Sequence, residues 1–167
     1  MQFEFATASR VVFGPGTLKE AGPIAAGLGR RALLVAGRTR ARAERLISNL
    51  EGCGVGCVAF EVAAEPTTDL IQLGTERARE EQCDLVVAFG GGSVLDAGKA
   101  ISALLTNGGE LLDYLEVVGQ GKPLSKAAAP CIAIPTTAGT GAEVTRNSVL
   151  GSAAHQVKVS LDGEVLR

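Results

Sequence analysis

The stretch Leu85-Val86-Val87-Ala88-Phe89-Gly90-Gly91-Gly92-Ser93-Val94-Leu95-Asp96-Ala97-Gly98-Lys99 decides the fold. An apolar run of strand type enters three glycines and a serine, and residues 94–105 then continue with helical period and are apolar nearly all round. A helix of that composition is buried, which places the glycines near the centre of a sheet. A strand passing straight into such a helix leaves backbone N–H groups and the positive end of the helix dipole at the sheet's carboxyl edge, an anion site. Glycine suits it because a Cβ would hold a pyrophosphate off the backbone, and Ser93 adds a hydroxyl donor or caps the helix. Asp96, read in the first turn, stabilises the helix start or holds a ribose or amide, and Lys99 is placed to pair with it. The run is neither a G-x-G-x-x-G fingerprint nor a Walker loop.

Outward from this stretch, short apolar runs at 32–36, 55–60, 85–89 and 131–134 alternate with longer helical segments, the pattern of βαβ units. Ala43, Leu46, Ile47 and Leu50 follow the spacing of an amphipathic helix, and 67–81 does so more weakly through Leu70, Ile71, Leu73 and Ala78. The predicted fold class is α/β, a doubly wound, mostly parallel, Rossmann-like sheet. Strand candidates at 3–5 and 11–13 predict an N-terminal β-hairpin, followed by a Gly14-Pro15-Gly16 turn and a helix through Leu18, Ala21, Ile24 and Ala25. Residues 107–129 read as a surface excursion with one short helix at 110–114. No internal repeat or linker divides the 167 residues, so one domain over 1–167 is expected.

A formal net charge of −2, with 20% charged residues and 46% hydrophobic ones, argues against disorder and against a general nucleic-acid surface. No apolar run is long enough for a membrane span, and the opening MQFEFATASR lacks the layout of a secretion signal, so a cytoplasmic location is expected. Cys53, Cys57, Cys83 and Cys131 do not match a zinc pattern and are expected to be free, mostly buried thiols.

The second motif follows the fourth strand: Pro135-Thr136-Thr137-Ala138-Gly139-Thr140-Gly141-Ala142-Glu143-Val144-Thr145. It gathers hydroxyls and glycines on one loop. In an open parallel sheet, ligands bind at the carboxyl ends of strands where the strand order reverses, so two such loops can grip one extended ligand. Gly90 to Ile101 and this threonine loop, in this order and spacing, together resemble the iron-containing alcohol dehydrogenase family, from Phe13-Gly14-Pro15-Gly16 to Gln156-Val157-Lys158-Val159-Ser160. The resemblance implies an N-terminal dinucleotide-binding α/β domain and, in the family, a helical domain after it. It implies that Gly91, Gly92, Ser93 and Asp96 contact the cofactor's pyrophosphate and neighbouring groups. Thr136, Thr137 and Thr140 would lie along pyrophosphate, ribose and nicotinamide, and Lys158 would reach a ribose.

Family members favouring NAD often carry an aspartate where this chain has Gly37. An acid there bonds the ribose 2′-OH and repels a 2′-phosphate, whereas glycine leaves room and Arg38, Arg40 or Arg42 can pair with the phosphate. The expected cofactor is therefore NADP, with NAD possible. The family's metal is held by an aspartate and histidines lying further along its chains. The single histidine, His155, cannot assemble such a site and Asp162 falls too early, while the ending after Leu161 no longer resembles the family. No metal is expected on this chain. Two functions follow: a metal-independent NAD(P)-dependent oxidoreductase acting weakly on a small alcohol or aldehyde, or a cofactor-binding module without turnover. No catalytic residue is assigned; Lys158, Tyr114, His155 and a threonine hydroxyl are the candidates for handling the hydroxyl proton. Exposed apolar surface is expected to drive homo-oligomer formation.

Overall fold

The computed structural model describes residues 7–38, 40–115, 118–152 and 157–162, with only the backbone of Arg40, Ala41, Arg42 and Asp162. Four parallel strands form the main sheet: β1 (Arg31–Ala36), β2 (Gly56–Glu61), β3 (Leu85–Gly90) and β4 (Cys131–Pro135), in the order β2-β1-β3-β4. The connecting helices are α2 (Arg40–Gly52) after β1, α3 (Thr68–Glu80) after β2 and α4 (Gly92–Thr106) after β3. A 3-10 turn at Thr17–Glu20 leads into α1 (Ala21–Ala26), and the excursion before β4 carries α5 (Leu111–Tyr114).

Period-two alternation sorts the strands between two cores. Leu33, Val35, Val86 and Ala88 face Ile71 and Ala78 of α3 and Leu95, Ile101 and Leu104 of α4. Ala32, Leu34, Leu85 and Val87 face Ala21 and Ala25 of α1 and Ala43, Leu46 and Leu50 of α2. Helices on both faces make the sheet doubly wound and explain its near-continuous apolar strands. Each fully buried leucine or isoleucine here contributes about 2 kcal/mol of burial free energy.

The buried character expected of α4 is present from Val94 to Leu104. Its closeness to β3 depends on Gly98, where a Cβ would lie 2.5 Å from that of Ala88. Gly98→Val therefore lifts α4 from the sheet. The expected loss is about 3 kcal/mol of unfolding free energy, and a urea midpoint equal to the parent's would show that α4 does not rest on β3 at this point.

The chain departs from expectation at its ends. Residues 3–5 lie outside the described residues, and 11–13 form no strand; Val11, Val12 and Phe13 are exposed, Phe13 at 98%. The hairpin that is present lies at the other end, where β5 (Asn147–Ser152) pairs antiparallel with β6 (Val157–Asp162). Leu150, Val159 and Leu161 insert into the α3–α4 core, which is why this pair is held against the helices, chiefly α4. The excursion before β4 is fastened by buried Asn107: its Oδ1 accepts from Ser125 N at 3.0 Å and Lys126 N at 2.9 Å, and its Nδ2 donates to Ala103 O and Lys126 O.

Candidate functional site

After β1 the chain winds outward to β2, then returns past β1 to β3, so the winding direction reverses between β1 and β3. Such a reversal opens a crevice at the strands' carboxyl ends. The exits of β1 at Gly37-Arg38 and of β3 at Gly91-Gly92-Ser93 both lie there.

Gly91 is the N-cap of α4 in extended conformation, and the helix begins at Gly92, two residues earlier than the apolar pattern predicts. Two consequences follow for the predicted residues. Ser93 is a helical residue rather than a cap, with an exposed side chain. Asp96 lies beyond the first turn, and its carboxylate is 2.9 Å from Lys99 Nζ, with only 15% of the side chain exposed. The pairing of Asp96 with Lys99 is as expected; the position in the first turn is corrected. The first N–H groups of α4 have no intrahelical acceptor and point towards the crevice mouth.

The threonine loop seats itself against this helix start. Thr136 N donates to Gly90 O at 2.8 Å, fixing the loop's entry. A Cβ on Gly91 would approach Thr137 Oγ1 at 3.3 Å, and one on Gly92 would approach Thr140 Cβ and Cγ2 at 3.3 Å. Gly139 and Gly141 have φ of 90° and 70°, values that favour glycine and turn the loop back on itself. Thr136, Thr137 and Thr140 remain exposed on the surface the two motifs share.

Gly37 is half-buried and Arg38 exposed, and a Cβ on Gly37 would have 3.9 Å to its nearest neighbours, Val62 O and Val94 Cγ2. The space left by glycine at that position is open. The Arg40 and Arg42 side chains lie outside the described residues. Lys158, on β6, ion-pairs with Glu65 at 2.7 Å, both largely exposed. Tyr114 spends its hydroxyl proton on Gly108 O, and His155 lies outside the described residues.

A cleft of about 910 Å³ lies beside β4, bordered by Phe13, Leu18, Ile132, Ile134 and Val144. It is lined by β4 rather than by Gly91 or Gly92. The four cysteines are free, though only Cys83 is buried by exposed area. Burial pushes the Cys131 thiol up to about 11, and burial followed by the charge of Glu51 does the same for Cys57. Neither is a thiolate at neutral pH.

A family model described as iron-containing alcohol dehydrogenase matches residues 8–167. The chain belongs to this family. The iron-containing alcohol dehydrogenase match continues past Leu161, where the sequence reading has the likeness stop. A choline dehydrogenase of Bacillus subtilis is 38% identical over 158 residues, covering 92% of this chain and 39% of its own length. A crystal structure of 1,3-propanediol oxidoreductase superposes with TM-score 0.91 at 30% identity, over 99% of this chain and 44% of that one. A sulfoacetaldehyde reductase from Bifidobacterium kashiwanohense, in complex with NAD+, gives TM-score 0.87 at 30% identity, again over 99% and 44%. The chain thus spans well under half the length of these relatives. Among the described residues no group of three or more His, Cys, Asp or Glu could hold a metal, so these residues do not fit the iron of the family's description.

Proposed function

We propose that this chain binds NADP at the β1–β3 crevice and takes part in hydride transfer between that cofactor and a small alcohol or aldehyde. The observation that carries the reading is the contact of the two motifs: Gly91 and Gly92 lack the Cβ atoms that would press on Thr137 and Thr140. Two anion-binding and hydroxyl-bearing segments thereby share one surface at the reversal of winding. Gly91, Gly92 and Ser93 would hold the pyrophosphate through backbone N–H groups, with Thr136, Thr137 and Thr140 donating along the rest of the dinucleotide. Gly37 and Arg38 would accept the 2′-phosphate. The bound cofactor supplies or accepts the hydride; this chain's part is to bind and orient it.

Choline dehydrogenase and 1,3-propanediol oxidoreductase among the relatives support an alcohol or aldehyde as substrate. A binding module without turnover is the second reading, favoured by Lys158 and Tyr114 both being engaged with protein partners. Free thiols agree with a cytoplasmic setting, and no helix among the described residues is long and apolar enough to cross a membrane. Exposed Val11, Val12 and Phe13 support self-association as a homo-oligomer. The test is fluorescence titration with NADPH and NADH, followed by an alcohol and aldehyde panel in EDTA. NADPH binding tighter than NADH is expected. Binding of neither overturns the reading; binding without turnover leaves the module.

A further inference from the structure

Lys99 is the least expected residue near the crevice, because it is a lysine with 7% of its side chain exposed in the middle of the most buried helix. A buried ammonium has to have all three of its protons accepted. Here Asp96 Oδ1 accepts at 2.9 Å, the Asn147 carbonyl accepts a second bond, and Thr145 offers Oγ1 at 3.3 Å and its carbonyl at 3.4 Å. The partners lie on two different elements. Asp96 belongs to α4, whereas Thr145 and Asn147 stand where the threonine loop ends and β5 begins. A second bond runs the other way across the same seam, from Ser148 Oγ to Asp96 O at 2.7 Å.

The threonine loop is therefore tied at both ends to the glycine element. Its entry is held by Thr136 N on Gly90 O, and its exit by the Lys99 ammonium. Between the ties, the residues facing Gly91 and Gly92 are exposed and their bonds are long; Thr140 Oγ1 reaches Glu143 at 3.4 Å and accepts from Ala142 N at 3.4 Å. Without the exit tie, the exposed part of the loop would be set against the helix start only by Thr136 before it and by buried Ala142 and the Ser148–Asp96 bond after it.

We propose that Lys99, oriented by Asp96, is a positioning residue that clamps the exit of the threonine loop onto α4 and so sets the width of the dinucleotide grip, touching no ligand itself. The ammonium is saturated by protein acceptors, which leaves it no proton for a phosphate. The same geometry gives Asp96 Oδ1 the work of fixing Lys99. The inference rests on the reading of the crevice as a dinucleotide site, but the clamp is measurable without any ligand.

The test is amide hydrogen exchange of the cofactor-free chain, with NADPH titration beside it, for the parent and Lys99→Met. Exchange at Thr136, Ala142 and Val144, the loop amides that have an acceptor in the parent, is expected to rise about tenfold while β1 and β3 amides keep the parent's protection, and NADPH affinity is expected to fall about thirtyfold, roughly 2 kcal/mol. Parental exchange in the loop of a folded Lys99→Met overturns the clamp. Should Lys99→Met unfold the whole chain, Lys99→Gln decides the matter, since its amide stays hydrogen-bonded in the buried seam but carries two donor protons rather than three and cannot serve Asp96, Thr145 and Asn147 together. A rise confined to the loop then supports the clamp, and no change overturns it. If the parent fails to bind NADPH while the variant's loop still loosens, the cofactor reading falls and the clamp stands.

Discussion

Gly92→Val is expected to weaken NADPH binding by more than about a hundredfold, some 2.7 kcal/mol, while the chain stays folded. The reasoning separates what the backbone tolerates from what the site tolerates. Gly92 opens α4 and is absent from the glycines with positive φ, so a side chain there meets no conformational penalty. Valine even removes the entropic cost that glycine adds to a helix. What it meets is Thr140, with the β-carbon already 3.3 Å from that residue's Cβ and Cγ2. Its two methyl groups would push Thr140 outward and stand over the first N–H groups of α4. Because the threonines are exposed, the loop yields at small cost, and the unfolding free energy should stay within about 1 kcal/mol of the parent's. Binding cannot yield in this way, since the pyrophosphate needs the N–H groups and the hydroxyls on one surface. Urea unfolding and fluorescence titration on the same preparation check both halves. A folded Gly92→Val chain that binds NADPH as the parent does would remove the two-loop grip.

How much of this was legible beforehand depended on the range of the physics involved. The parallel core was legible because a strand buried on both faces must be apolar throughout, and 32–36, 85–89 and 131–134 are so. The helix over 67–81 was legible from its boundaries as well, with Thr67 capping the helix by accepting from Leu70 N. The β5–β6 pair was not recognised as a hairpin, since Asn147 and Gly151 interrupt the alternation that Val149, Val157, Val159 and Leu161 would otherwise show. Its stability comes from Leu150 and Leu161 entering a core built by distant residues, and no local pattern records that. The same holds for Lys99. Its spacing from Asp96 predicted the pair, but its other acceptors lie 46 and 48 positions away, and the backbone carbonyls among them have no identity in a sequence. The N-terminal strands were read as short candidates, and 11–13 show the limit of so short an apolar run: Val11, Val12 and Phe13 remain exposed.

The second large effect concerns the choice of cofactor, through Gly37→Asp. Gly37 follows the last residue of β1, at the point where the winding reverses, and Arg38 beside it is exposed. A carboxylate fits here without rebuilding the strand, because the new Cβ would have 3.9 Å to Val62 O and Val94 Cγ2, and Gly37 is not held at positive φ. Stability should therefore change by less than about 1 kcal/mol. The electrostatic change is larger. Two unit charges 4 Å apart at a partly exposed site repel by about 4 kcal/mol, and a 2′-phosphate carries nearly two. Salt screening and movement of the exposed chain reduce this, leaving an expected loss of about a hundredfold in NADPH affinity. NADH has a hydroxyl in place of that phosphate, and the same carboxylate can accept its proton, so NADH affinity should rise several-fold and the preference invert. Arg38→Ala makes a useful partner, since it should weaken NADPH while hardly changing NADH, in keeping with a lost charge-assisted bond worth about 2 kcal/mol. Titrations with both dinucleotides at two ionic strengths check the sign, because the penalty in Gly37→Asp should shrink as salt rises. An aspartate that leaves the NADPH-to-NADH ratio untouched would place the 2′-phosphate away from the end of β1, whatever the outcome for the pyrophosphate grip.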